Sequence, residues 1–169
     1  MLYGENWFEI DRWKSDYLMF ETWRLGRRNL DSIAMLSLAS VSWDTCAQDR
    51  KVLKKLDLFP GIREVDIYLE DLSAEGWKAF LAEASGKLDR IGKVTLQINI
   101  SLRAGTKIYE SQRRAPEDTI EDMCLRAYQP PFRKQESVWK NRNVRWEFAE
   151  YMCDFAHSYC MGDLRVVLE

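Results

Sequence analysis

From Lys93 to Leu102 apolar and polar residues alternate without a break: Val94, Leu96, Ile98, Ile100 and Leu102 against Thr95, Gln97, Asn99 and Ser101. Period-two alternation puts one set on each face of a β-strand, so this stretch predicts a strand with one buried and one polar face. Ile62–Leu69 repeats the pattern, with Val65, Ile67 and Leu69 facing one way and Glu64, Asp66 and Tyr68 the other. Ile33–Leu38 is short and apolar; it reads as a buried strand, with a helix as the alternative at that length. The intervening segments change period. Val52, Leu53, Leu56 and Phe59 recur at helical spacing behind a cap at Asp44 or Thr45, and Phe59-Pro60-Gly61 stops that helix. Asp71 or Ser73 opens a second helix with the stripe Trp77, Phe80, Leu81, Ala84, Leu88 and Ile91, closed by Gly92.

Strand, helix, strand, helix, strand, with starts roughly 30 residues apart, is the spacing of βαβ crossovers, which are right-handed and make parallel neighbours. Helices on both faces of a sheet would demand near-continuous apolar strands. Alternation instead predicts an α/β fold, with α+β as the alternative. It has two layers, a mixed sheet with helices mainly on the Val65/Ile98 face. The opposite face, carrying Glu64, Asp66, Tyr68, Gln97 and Asn99, is left to solvent or to a partner.

The flanks are less regular. Trp7–Ile10 and Tyr17–Phe20 predict an antiparallel pair of strands. The stretch from Arg103 to Ala115 reads as a loop. Pro116 opens a short helix through Ile120, Met123, Cys124 and Ala127, ended by Pro130-Pro131. From about Gln135 to Met161 the pattern is helical, in one piece or broken near Asn141–Asn143. Trp139, Trp146, Ala149, Cys153, Ala156 and Cys160 form one stripe, and Phe148, Met152, Phe155 and Tyr159 a second. Two adjacent stripes imply a broadly buried helix, or one that packs on another chain, so self-association through residues 135–160 is expected. Leu164–Leu168 predicts a last strand.

A chain of 169 residues favours a single domain, residues 1–169, with a core that needs no disulfides. A net charge of −2 leaves no broad positive field, so nucleic-acid binding is disfavoured. Residues 1–16 hold no apolar signal core, and no run of about 18 apolar residues exists to span a bilayer. A reduced state for Cys46, Cys124, Cys153 and Cys160 follows, with a cytoplasmic or nuclear location.

The aromatic pair Trp7-Phe8, the run Asp16-Tyr-Leu-Met-Phe20, the strand from Ile33 to Trp43 and Leu58-Phe-Pro-Gly-Ile-Arg-Glu-Val-Asp-Ile67 occur in that order. Over about residues 6–70 this pattern resembles the later part of the fungal two-EXR domain family, a set of F-box-like fungal proteins. The resemblance implies a fungal source and an intracellular protein. It rests on hydrophobic spacing and one Phe-Pro-Gly turn. The family's leading Glu-x-Arg helix has no counterpart here, so its recruitment role does not carry over; the resemblance brings no catalytic residues with it.

Three groups of residues bear on chemistry. On the predicted last helix, Cys153, His157 and Cys160 fall within about 60° of one face, where two thiolates and an imidazole suit zinc, with Cys46 or Cys124 as a fourth ligand; buried packing is the alternative. Cys153 and His157 alone have the types of a nucleophile and its base, but Asp154 points elsewhere on that helix. On the polar sheet face, Asp66 has the chemistry of an acid or base and Tyr68 of a donor, with Glu64, Gln97 and Asn99 to bind a ligand. Trp139 and Trp146 are candidates for a pocket or interface. No Gly-rich phosphate loop, Ser elbow or paired-carboxylate metal motif is present, so no cofactor is expected. The residues thus support two readings: a protein-interaction or scaffold module, and a small cofactor-free isomerase or cyclase acting on a hydrophobic metabolite.

Overall fold

Four strands lie side by side in the order in which the chain makes them. They are β1 (Trp7–Ile10), β2 (Met35–Val41), β3 (Glu64–Leu69) and β4 (Lys93–Arg103), all parallel. In this computed structural model the described residues are 7–10, 27–41, 43–44, 52–70, 72–103, 119–134, 142–154 and 159–169. Two further strands, β5 (Val144–Asp154) and β6 (Tyr159–Leu168), complete a six-stranded sheet of order β1-β2-β3-β4-β6-β5. Strand β6 runs antiparallel to both β4 and β5. The described helices are α1 (Arg27–Leu30), α2 (Val52–Lys55, continued by a 3₁₀ turn Leu56–Leu58), α3 (Ala74–Leu88) and α4 (Ile120–Lys134).

The parallel half repeats itself. Trp7 lies opposite Met35, Met35 opposite Glu64, and Glu64 opposite Lys93. Each crossover therefore advances about 29 residues, within the range of solenoid repeats. Equivalent positions carry equivalent side chains: Leu30, Phe59 and Leu88 precede the strands, then come Ile33, Ile62 and Ile91, then Leu36, Val65 and Val94, then Leu38, Ile67 and Leu96. All of these are buried. Backbone bonds at the same step extend the ladder, from Arg63 N to Ala34 O at 2.8 Å and from Glu70 N to Val41 O at 3.0 Å. The expected α/β fold with a mixed sheet and one helix-covered face is what the chain adopts.

A line of aromatic rings ties the helix layer together. Trp43 meets Phe80 edge-on at 5.1 Å, Phe80 stacks on Trp77 at 5.8 Å, Trp77 stacks on Phe132 at 6.4 Å, and Phe132 meets Trp146 edge-on at 5.3 Å. The line thus runs from the end of β2, through α3 and α4, to β5. Two buried polar groups at its centre are satisfied inside: Trp77 Nε1 donates to Tyr128 O, and the Oη of Tyr128, a ring beside Trp77, donates to Leu72 O, each at 2.8 Å. Without those acceptors the buried indole N–H and phenol would each cost about 1–3 kcal/mol.

Several expectations are corrected. Strand β1 pairs in parallel with β2, and Tyr17–Phe20 lies outside the described residues. Helix α4 runs through Pro130 and Pro131 to Lys134. Proline removes backbone donors, but buried Phe132 in the last turn is held between Trp77 and Trp146. Asp44 accepts from Ser73 N at 2.7 Å, at the start of α3, whose N-cap is Ser73; Thr45 and the segment leading into α2 lie outside the described residues. Most important, the described part of the predicted helix over 135–161 is the strand pair β5 and β6. Val144, Trp146 and Phe148 are half-buried while Arg145, Glu147 and Ala149 are exposed, a period of two. Seven residues are two helical turns, so Trp139, Trp146 and Cys153 share a helical stripe as well, and the local pattern fits both structures. Ten cross-strand partners on β4, from Val94 to Arg103, decide for the strand in β6, and β6 in turn pairs with β5.

Two glycine substitutions test this packing with opposite signs. A Cβ on Gly61 would lie 2.1 Å from the Asp31 carbonyl oxygen, a backbone atom, so Gly61→Ala is expected to destabilise by about 1–3 kcal/mol. No atom lies within 4 Å of a Cβ on Gly86 in exposed helix, and Gly86→Ala is expected to stabilise by about 1 kcal/mol. Urea unfolding midpoints of the two variants read both effects.

Candidate functional site

The face of the sheet away from the helices is set by strand parity. On β3, Glu64, Asp66 and Tyr68 take the positions between Val65, Ile67 and Leu69. On β4, Lys93, Thr95, Gln97 and Asn99 do the same. Register places Glu64 beside Lys93, Asp66 beside Thr95 and Tyr68 beside Gln97. The predicted site residues Glu64, Asp66, Tyr68, Gln97 and Asn99 therefore share one face of two adjacent strands, and all five are partly exposed. In the middle of the face Thr95 lies opposite Val167, and both are buried.

Beyond β4 the face continues onto β6 and β5, through residues that sequence reasoning missed. Asp163 accepts from Gln97 Nε2 at 2.7 Å and from Asn99 Nδ2 at 3.3 Å. Arg145 pairs with Glu147 at 2.8 Å, and Arg165 lies 3.9 Å from the same carboxylate. These pairs are exposed, so each contributes little to stability, about 0–1 kcal/mol. Gln97, Glu147, Phe148, Ala149, Asp163 and Arg165 line a cleft of about 210 Å³. Small-molecule sites usually enclose roughly 300–1,000 Å³, so this cleft suits a side chain better than a metabolite. The alternation of Val144, Trp146 and Phe148 with Arg145 and Glu147 was the signal that could have found this half.

Trp146, another of the candidates, is not brought to this face. It is on β5, turned to the helix side against Phe132. Trp139, His157 and Cys46 lie outside the described residues. The helical arc that grouped Cys153 with Cys160 does not form. Cys153 belongs to β5 and Cys160 to β6, and the two are opposite partners in the ladder.

Cys124 is a buried thiol on α4. Burial, and secondarily Glu121, pushes it up to about 12. The same burial raises Tyr128, with Cys124 and Asp44 adding to the shift. A thiol held this far toward its neutral form is a packing residue rather than a nucleophile. Arg142 sits where α3 ends, donating to Leu88 O at 3.2 Å, to Asp89 O at 2.8 Å and to Ile91 O. Burial lowers its pKa, against the pull of Asp89.

No family model matches the chain, and no curated protein matches it. Among solved structures the chain is similar to an uncharacterized protein from Listeria monocytogenes serotype 4b, with 13% identity and a TM-score of 0.34. The match covers 98% of this chain and 62% of that one, so the chain spans less than two thirds of that protein's length. A likeness at this level carries no argument about fold or function.

The buried thiol and phenol make stability depend on alkaline pH. Both groups are protonated in the fold at pH values where the unfolded chain already ionises them. Stability is therefore full below the ordinary thiol value of 9.0 and falls as pH rises toward 12. Each group contributes a slope of up to about 1.4 kcal/mol per pH unit. Urea midpoints measured between those limits should fall, and Cys124→Ala should flatten the decline.

Proposed function

We propose that this chain is a protein-interaction or scaffold module that takes its partner on the polar face of the sheet. The observation that supports the reading most is the repeat: successive parallel strands carry their polar positions on one partly exposed face, the arrangement that solenoid proteins use when they bind. The spacing Ile62, Val65, Ile67, Leu72, with Ile33, Leu36, Leu38, Trp43 before it, has the arithmetic of a leucine-rich repeat, in which each strand contributes to one shared surface. On this reading Asp66, Tyr68, Gln97 and Asn99 serve recognition rather than acid–base chemistry, since they are partly exposed and spread along two strands. A cytoplasmic or nuclear setting belongs to the same proposal. So does the relation to the fungal two-EXR family, although its residues Ile33, Leu36, Leu38 and Phe59 are ones that the repeat itself requires.

No described helix is long and apolar enough to cross a membrane, so no part of the proposal involves a helical anchor. The test is an affinity comparison with the full chain as bait. Asp66→Lys combined with Gln97→Lys should release the proteins that the unaltered chain retains, with an unchanged melting temperature. Glu83→Lys, at an exposed position of helix α3, should keep them. Identical partners on both baits would end the reading.

A further inference from the structure

Among the described residues β5 is an edge strand, and the backbone bonds at its start fix which of its residues face outward. Asn143 and Glu169 exchange both backbone bonds, from Asn143 N to Glu169 O at 2.8 Å and from Glu169 N to Asn143 O at 3.0 Å. The pairing of β5 with β6 then runs without a shift from Val144 opposite Leu168 to Glu150 opposite Gly162. Bonded and non-bonded pairs alternate in an antiparallel ladder. Arg145, Glu147 and Ala149 therefore turn their N–H and C=O groups to β6. Val144, Trp146 and Phe148 turn theirs outward.

We propose that this edge pairs antiparallel with the same edge of a second copy, about a two-fold axis at Trp146. The choice of a second copy rests on charge complementarity. About its centre the segment Val144-Arg145-Trp146-Glu147-Phe148 is symmetric in polarity and opposite in charge, and so complementary to a reversed copy of itself. Under the two-fold, Trp146 exchanges both backbone bonds with its own copy, and Val144 does so with Phe148 of the other chain. Arg145 then stands opposite Glu147 of the other chain, twice, in non-bonded pairs where side chains come closest. On the helix side, half-buried Val144 and Phe148 gain each other, and Trp146 gains its copy. A register shift between Glu150 and Met152 ends the regular edge just past this segment, which confines pairing to it. The inference does not rest on the proposed partner binding: it turns on the backbone edge of β5 and on Arg145 and Glu147, at the far end of the same face.

Sedimentation of the full chain at tens of micromolar tests it. The unaltered chain should dimerise. Glu147→Arg, which sets like charges opposite each other twice, should weaken the dimer roughly tenfold. Arg145→Glu should do the same, and covers the case in which the first variant folds poorly. Combining the two restores opposite charges across the axis and should restore the dimer. A monomer at high micromolar concentration overturns the proposal and leaves the edge to a strand of a different protein. So does a dimer that both single variants leave intact.

Discussion

Every other feature depends on Leu36, Val65 and Val94 lying beside one another in successive parallel strands. In a sheet, a slip of one residue turns each side chain to the opposite face. Each crossover must therefore return the chain to the next strand with its parity kept. The buried residues at the same place in each turn, from Leu30, Phe59 and Leu88 inward, hold the crossovers to that length. With parity kept, three strands of apolar residues meet the helices, and Asp66, Tyr68, Gln97 and Asn99 stand together on the far side. The polar face is a by-product of the core register.

A stack of repeats has an exposed last member, and this chain covers it. Strand β6 closes the free side of β4, and β5 lies outside it. Phe148 sits over Gly162, where any Cβ would lie 2.7 Å from its ring, so the two strands of the cover interlock where β6 has no side chain. Arg142 completes the cover by taking up carbonyl groups at the end of α3, which lack intrahelical partners. Trp146 adds the last ring to the aromatic line. The same residue that ends the core thus lies on the strand with the outward-facing backbone.

How much of this could be seen in the chain beforehand follows from the range of the forces involved. Strand β4, strand β3 and helix α3 have periods that only one structure satisfies, and each appears where alternation or a helical stripe placed it. Parallel pairing followed from crossover length, and the polar face from the alternation within the strands. Residues 144–154 failed because their apolar spacing satisfies two periods, and the choice between them is made by β6, distant contacts with β4 included. Helix α4 outlasts its prolines for a similar reason: Phe132 has partners on α3 and β5 that no local rule contains. Within the candidate site, the β3–β4 half was legible and the Asp163, Arg165 and Glu147 half was not, since the latter hangs on the misread strands.

The order of the sheet also bears on how the molecule assembles. Strands β2 to β4 each dock against the strand made just before, so that half can grow as the chain lengthens. The position between β4 and β5 is filled by residues 159–168, made after both of its neighbours. Until then the ladder side of β4, eleven residues long, has no β6 against it. An unpaired ladder of that length is open to mispairing. Insertion of β6 is thus the step that completes the native sheet.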